Sequence, residues 1–217
     1  MKKFISFLFL TIFLVSCSSE PDQIKLGSIL PLTGDAASWG NPVKNSVQMA
    51  VDEINNSGGI NGKLLNVVFE DSQAEPSKGV SAIQKLITQD KPIAIIGAVA
   101  SSVSIAIAPF AEKNKIPVIS PASTSPKLTG ISKYFFRVIP TDKLRAEKFA
   151  EYIYSKGFEE LDIVFINNEG GSGAKEAFVK KYNELGGNVT LNEGYTQGTN
   201  DFRAVLNKSK NSDSNAL

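Results

Sequence analysis

The chain is predicted to fold as an α/β protein with doubly wound parallel sheets, and three observations predict it. Strand and helix patterns alternate from Ile24 onward, the signature of parallel strands crossed by helices. The alternation restarts after Pro140, once a full sheet's worth of strands has gone by, so a boundary between two such units is expected at 140–142. Two hydroxyl-rich loops, one opening at Ser101-Ser102 and the other running from Ser120 to Pro126, each follow a short apolar strand. Open parallel sheets bind ligands at that end of their strands.

The first strand is read at 24–29. A helix follows Pro42, because Val43, Val47, Ala50, Val51 and Ile54 fall on one stripe at helical spacing, and Ser57-Gly58-Gly59 stops it with a left-handed cap. A second strand spans 64–69. Pro76, favoured in a first turn, opens a helix carrying Val80, Ile83, Leu86 and Ile87. Strands at 93–96 and 117–119 flank a helix from about Ser102 to Asn114, and a strand at 134–139 ends at Pro140. Beyond it, Ala146, Phe149, Ala150 and Ile153 mark a helix at 142–156, followed by a strand at 161–166 rich in β-branched residues. Ala174, Phe178, Tyr182 and Leu185 mark another helix, 189–195 another strand and 201–208 a last helix. Ser214-Asn215-Ala216-Leu217 reads like the start of one more strand, as in a chain cut within its second unit.

The N-terminus points to export. Lys2 and Lys3 precede an apolar stretch over 4–15, too short to span a bilayer and laid out like a secretory signal. It ends Leu14-Val15-Ser16-Cys17, which resembles the lipobox of bacterial lipoproteins, in which the Cys is diacylated and becomes the first residue. The rival is an ordinary signal peptide with an incidental Cys; Cys17 is the only Cys in the 217 residues and sits where the apolar stretch stops. Residues 1–17 are therefore read as signal and lipobox, and 18–23 as a polar tether. Losing Lys2 and Lys3 takes the formal charge from +1 to −1, a balance with no electrostatic footprint for nucleic acid.

The loops suit a small anion held by neutral donors. Free N–H groups at a helix start, joined by Ser or Thr hydroxyls, make an anion site, and neither loop carries a charge before Lys127. Each residue also has a plainer role open to it: Ser101 as a helix cap, Thr124 as a turn residue before Pro126, Trp39 as a core aromatic.

A family resemblance now enters. Ile24-Lys25-Leu26-Gly27 with Pro31-Leu32-Thr33-Gly34, Ala50-Val51-Asp52-Glu53-Ile54-Asn55, Gly58-Gly59-Ile60-Asn61-Gly62, Ile96-Gly97 with Ser101-Ser102, Ile119-Ser120-Pro121-Ala122-Ser123-Thr124, Phe135-Phe136-Arg137 and Asp201-Phe202 stand in the order and spacing of one family. The chain resembles the leucine/isoleucine/valine-type solute-binding lipoproteins that feed ABC importers, with the type I periplasmic-binding-protein fold. The resemblance implies two α/β lobes closing on a ligand, here 24–140 and an incomplete second lobe over 141–217. It implies an extracytoplasmic, lipid-anchored protein that captures an amino acid or similar small carboxylate and hands it to importer subunits in the membrane. It also implies a ligand site of Trp39, Ser101, Ser102, Ala122, Ser123 and Thr124. Serine hydroxyl and backbone N–H take the carboxylate, the Ala122 carbonyl and Thr124 hydroxyl take the ammonium, and Trp39 packs on the ligand side chain. No cofactor or metal is implied. An alternative is a non-transport lipoprotein of the same fold, a sensory or cell-wall-synthase regulator.

Two departures bear on specificity. Where many members have Tyr-Gly-x-Gly, this chain reads Gly170-Gly171-Ser172-Gly173, so an aromatic wall is missing. A Cys pair of some members is replaced by Ala74 and Ala100. Catalysis is disfavoured. The chain has no His, which removes Ser-His and Cys-His dyads and His-based zinc sites. Ser172-Gly173-Ala174-Lys175 fits an S-x-x-K motif without its companion motifs. Gly58 to Lys63 is one residue short of a phosphate-binding loop.

Overall fold

The computed structural model describes residues 23–214 and 216–217, so the signal-like stretch and Cys17 lie outside it. Short strands with apolar residues on both faces build the first sheet. Strands β1 (Ile24–Leu30), β2 (Leu65–Asp71), β3 (Ala94–Gly97), β4 (Val118–Ser120) and β5 (Phe135–Arg137) pair in parallel, in the order β2-β1-β3-β4-β5. Helices α2 (Pro76–Lys85) and α3 (Ser101–Asn114) cover one face, where Ile29, Ile95 and Val118 are buried with Ile83, Val103 and Ile107. Leu26 and Ile96 alternate with that set and face the other side, toward α1 (Ala37–Asn56), across a groove of ≈ 520 Å³. The chain thus leaves β1 and β3 toward opposite faces. Their carboxyl ends therefore form the switch point at which doubly wound sheets bind ligands.

The helix α1 begins five residues before Pro42, not after it. Gly40 lets its first turns press against the Pro31 carbonyl, where a side chain would collide. Asn41 Nδ2 donates to the carbonyls of Leu32 and Ala37 at 3.3 and 3.0 Å, so the proline removes one donor from a turn that is otherwise held. This puts Trp39 inside α1, although a helix starting after Pro42 would leave it outside.

The second sheet follows the same logic on a smaller scale. Helix α4 (Asp142–Ser155), strand β6 (Glu160–Ile166), helix α5 (Glu169–Glu184), strand β7 (Asn188–Tyr195) and helix α6 (Arg203–Lys210) succeed one another, with β6 and β7 parallel. The last helix starts two residues after the expected 201, because the Asp201 carboxylate accepts the Arg203 amide at 3.0 Å from outside the helix. Ala146, Ala150, Leu161, Phe178 and Tyr182 form the core, with Phe178 stacked on Tyr182 at 5.4 Å. The Ala216 carbonyl accepts the Asp162 amide at 2.9 Å along β6, as the strand-like reading of the last residues anticipates.

Asp162 is a buried carboxylate with no cation paired to it among the described residues. It accepts instead from Thr190, Ser209 and Ser212, each at 2.6 Å, and so pins the end of α6 and the following turn to β6. Burial raises its pKa, but the hydroxyls of Ser209, Ser212, Thr190 and Ser214 outweigh that and bring it from 3.8 to about 2. A folded-state pKa depressed in this way stabilises the protein above the unfolded value and ceases to do so as pH falls through the folded one. Asp162→Asn is expected to cost about 1–3 kcal/mol near neutral pH. In urea unfolding, the gap to wild type should be full above pH 3.8 and close toward about 2. A gap that does not depend on pH would assign the carboxylate no charge-dependent role.

Candidate functional site

The site rests on a knot of serines beneath it. The Ala98 carbonyl, in the loop between β3 and α3, accepts from Ser120 Oγ at 2.6 Å and from Ser123 Oγ at 2.9 Å. Ser104 Oγ accepts the Ala98 amide at 3.2 Å and lies 2.7 Å from Ser123 Oγ. Ser123 Oγ also reaches the Val99 carbonyl at 3.1 Å, and its own amide donates to Ser120 Oγ at 2.9 Å. All three serines are fully buried. Ser123, expected at the ligand, therefore has both its hydroxyl and its amide turned into the scaffold. A buried polar group must find partners, and the nearest are the orphan carbonyls of the neighbouring loop.

What remains above the knot is Ser101, Ser102, Ala122 and Thr124. Ser101 is the first residue of α3, yet its hydroxyl caps no amide of that helix; it accepts the Ser125 amide at 3.2 Å and so joins the two loops. Ser102 is partly buried, and its hydroxyl has no partner among the described residues. The Ala122 carbonyl likewise has none, while the Ala122 amide points back to Ser120 Oγ at 3.4 Å. Thr124 donates its hydroxyl to the Asp142 carboxylate, and its carbonyl accepts the Asp142 amide at 3.0 Å. Arg137 steadies the loop by donating to the Ser125 carbonyl at 2.8 Å and to Thr129 Oγ1 at 2.6 Å. Trp39 is 70% exposed, which rules out the core role open to it from composition.

Asp142 is the residue that sequence reasoning missed. It reads as a helix start after a proline, and the pairing with Thr124 spans 18 positions. Its side chain is buried, with Arg145 Nη2 at 2.8 Å on the other carboxylate oxygen. Asp71 plays a comparable part at the end of β2. It accepts from the Leu32 amide at 2.8 Å, Thr33 Oγ1 at 2.5 Å and the Gln73 amide at 2.9 Å, which fixes the loop leading to Trp39. Burial raises its pKa, but these hydrogen bonds prevail and hold it below the usual aspartate value.

The opposite wall is the start of α5. A β-carbon placed on Gly170 would lie 3.7 Å from Ser101 Oγ and 4.0 Å from Thr124 Oγ1. The glycine in place of the usual aromatic thus faces both hydroxyls across a space about one carbon atom wide. Asn168 caps α5 through the Gly171 amide at 2.9 Å, so two helix N-termini meet across this gap and their partial positive charge favours an anion. At the rim Lys127 Nζ pairs with Glu169 at 2.8 Å, a contact that raises the Lys127 pKa, and Gly173 passes close to Pro126. The S-x-x-K residues are not assembled as a nucleophile pair: Lys175 Nζ sits 5.1 Å over the Phe165 ring, and no hydrogen bond joins it to Ser172 among the described residues. The stretch from Gly58 to Lys63 is a turn closed between Ile60 and Lys63.

Known proteins are similar to this chain in sequence and in fold. A family model described as "Periplasmic binding protein" matches residues 23–217. The Leu/Ile/Val-binding protein BraC3 of Rhizobium johnstonii is 35% identical over 192 residues, which cover 87% of this chain and 52% of that protein. An amino acid binding protein of Pseudomonas aeruginosa is 31% identical over 86% of this chain and 50% of its own length. Among solved structures, the branched-chain amino acid binding protein LivJ of Streptococcus pneumoniae, in complex with isoleucine, superposes with a TM-score of 0.81 at 30% identity, over 89% of this chain and 55% of that one. A solute-binding protein of R. palustris in complex with 4-hydroxybenzoate gives a TM-score of 0.81 at 25% identity, over 89% of this chain and 52% of that one. The chain spans about half the length of the curated relatives it matches.

The division of labour among the serines can be measured. Ser123→Ala leaves buried carbonyls short of a donor and is expected to cost about 1–3 kcal/mol in denaturant unfolding. Ser102→Ala should stay within about 0.5 kcal/mol of wild type, as a substitution that breaks no protein contact. Equal effects would show that Ser123 is no more structural than the partly buried Ser102.

Proposed function

The chain belongs to the periplasmic binding protein family, and from that premise we propose that it captures an amino acid between two α/β lobes and delivers it to an ABC importer. The lobes are taken as 24–140 and the part of the second that begins at 141. The observation that carries the reading is the pairing across one gap of Ser101, at the positive start of α3, with Thr124, backed by the buried Asp142 carboxylate. A carboxylate fits the first and an ammonium the second. The free Ala122 carbonyl supplies a further acceptor beside Thr124, and Trp39, in the first turn of α1, supplies an exposed apolar surface.

Gly170 favours a second reading of the ligand's side chain. Without an aromatic at that position, the wall expected to select a branched alkyl is missing, and a structural neighbour at 25% identity carries 4-hydroxybenzoate. Aromatic acids are therefore the competing ligand class. The two readings part on the amine, because an aromatic acid gives Thr124 and Asp142 nothing to bind.

A binding panel on the full-length protein tests both. Amino acids are expected to bind well above their amides and above carboxylates without an amine. Ser101→Ala should weaken amino-acid binding by about ten- to hundredfold, the loss of one charge-assisted hydrogen bond. Trp39→Ala should reorder the preference among side chains and leave the need for the amine intact. Benzoates that bind as well as any amino acid would replace the first reading with the second.

The protein is further proposed to be held at the outer side of a bacterial membrane through a lipidated Cys17, since Leu14-Val15-Ser16-Cys17 follows the apolar leader in lipoprotein order. Metabolic labelling with a tagged fatty acid should mark the wild type and spare Cys17→Ala. Equal labelling of the two would end this proposal.

A further inference from the structure

We infer that Asp142 is a positioning residue that makes the site selective for an ammonium, by forcing the Thr124 hydroxyl to act as an acceptor; this rests on the amino-acid reading above. The inference follows from where the hydroxyl hydrogens must lie. An ionised carboxylate can only accept, so in the Thr124–Asp142 hydrogen bond the hydrogen belongs to Thr124. The hydroxyl has a single hydrogen, and once that is committed Thr124 Oγ1 presents only lone pairs to the gap below Gly170.

Ser101 is set in the opposite sense. Its oxygen already accepts the Ser125 amide, and its hydrogen has no acceptor among the described residues. One gap therefore holds a hydroxyl free to donate and a hydroxyl able only to accept. A zwitterion satisfies both, with its carboxylate at Ser101 and its ammonium at Thr124. A carboxylate turned the other way would meet lone pairs with an aspartate behind them.

The surroundings keep Asp142 in this role. The amide of Asp142 is bonded to the Thr124 carbonyl, which fixes the two backbones side by side and sets the carboxylate within reach of the hydroxyl. Arg145 takes the other carboxylate oxygen from a side chain that is 67% exposed, so solvent screens its charge.

The test is titration calorimetry on the full-length protein with leucine and phenylalanine against their deaminated counterparts, isocaproate and hydrocinnamate. Asp142→Asn is expected to lower the preference for the amine-bearing probe by about tenfold or more, as the amide lets the hydroxyl turn, with the affinity for the deaminated probes nearly unchanged. Thr124→Val should produce the same loss, and adding Asp142→Asn to it should change the preference no further, because the aspartate acts through the hydroxyl. Thr124→Ser and Arg145→Ala should keep the preference. Thermal unfolding of each variant shows which are folded; if Asp142→Asn is not, Asp142→Glu, which keeps the acceptor, is to be compared with Thr124→Val and should retain the preference that Thr124→Val loses.

Three results would overturn the inference while leaving the amino-acid reading in place: equal weakening of all four probes by Asp142→Asn, an additive double variant, or an unchanged preference in Asp142→Asn. Failure of the reading itself looks different. Wild type would then bind the deaminated probes as tightly as the amino acids.

Discussion

The site depends on one constraint, the hydrogen bonding of the Ala98 carbonyl. Two loops from different strands meet there, and neither has secondary structure of its own to satisfy its buried polar groups. Ser104, Ser120 and Ser123 supply the missing partners, so the loop after β3 and the loop after β4 are held as one piece. Ser101 and Ser125 add a second tie above the first. Because unpaired buried polar groups cost far more than paired ones contribute, the arrangement has few competitors. The hydroxyls left over at the rim inherit fixed positions from it.

That rigidity gives the rim residues directional chemistry. A serine on a mobile loop can donate or accept as a ligand demands, and discriminates little. Here the Ser125 amide occupies the Ser101 oxygen and Asp142 occupies the Thr124 hydrogen. The start of α5 completes the enclosure at Gly170, with the Lys127–Glu169 pair at its edge. Lys127 in that pair is exposed and Glu169 half-buried, so solvent reaches it and it bears on the positioning of the two walls more than on their stability.

The first sheet is covered unevenly. Its α2 and α3 face is closed over a continuous apolar core, whereas the opposite face has α1 alone, and Ile119, Phe136 and Val138 remain exposed toward the β5 edge. Contiguous apolar surface of this kind is rarely left to water.

Local pattern was enough for much of this molecule. The alternation of strand and helix and the burial of Phe178 and Tyr182 on α5 were legible because periodicity and apolar spacing are properties of neighbouring residues, whereas Phe149, on the stripe that marks α4, is 56% exposed. The two serine-rich loops stood out as a candidate site for the same reason. Tertiary structure decided what each hydroxyl does. Nothing in Ser120-Pro121-Ala122-Ser123-Thr124 distinguishes the serine that points down to Ala98 from the threonine that points across to Asp142. That choice is made by groups 18 to 25 positions away, brought near only when the strands pair. Pro42 teaches the same lesson on a smaller scale: its sequence context reads as a helix start, but packing of Gly40 on Pro31 extends α1 back past it. Where the deciding contact is local the sequence suffices, and where a polar group must choose between distant partners only the folded chain supplies the answer.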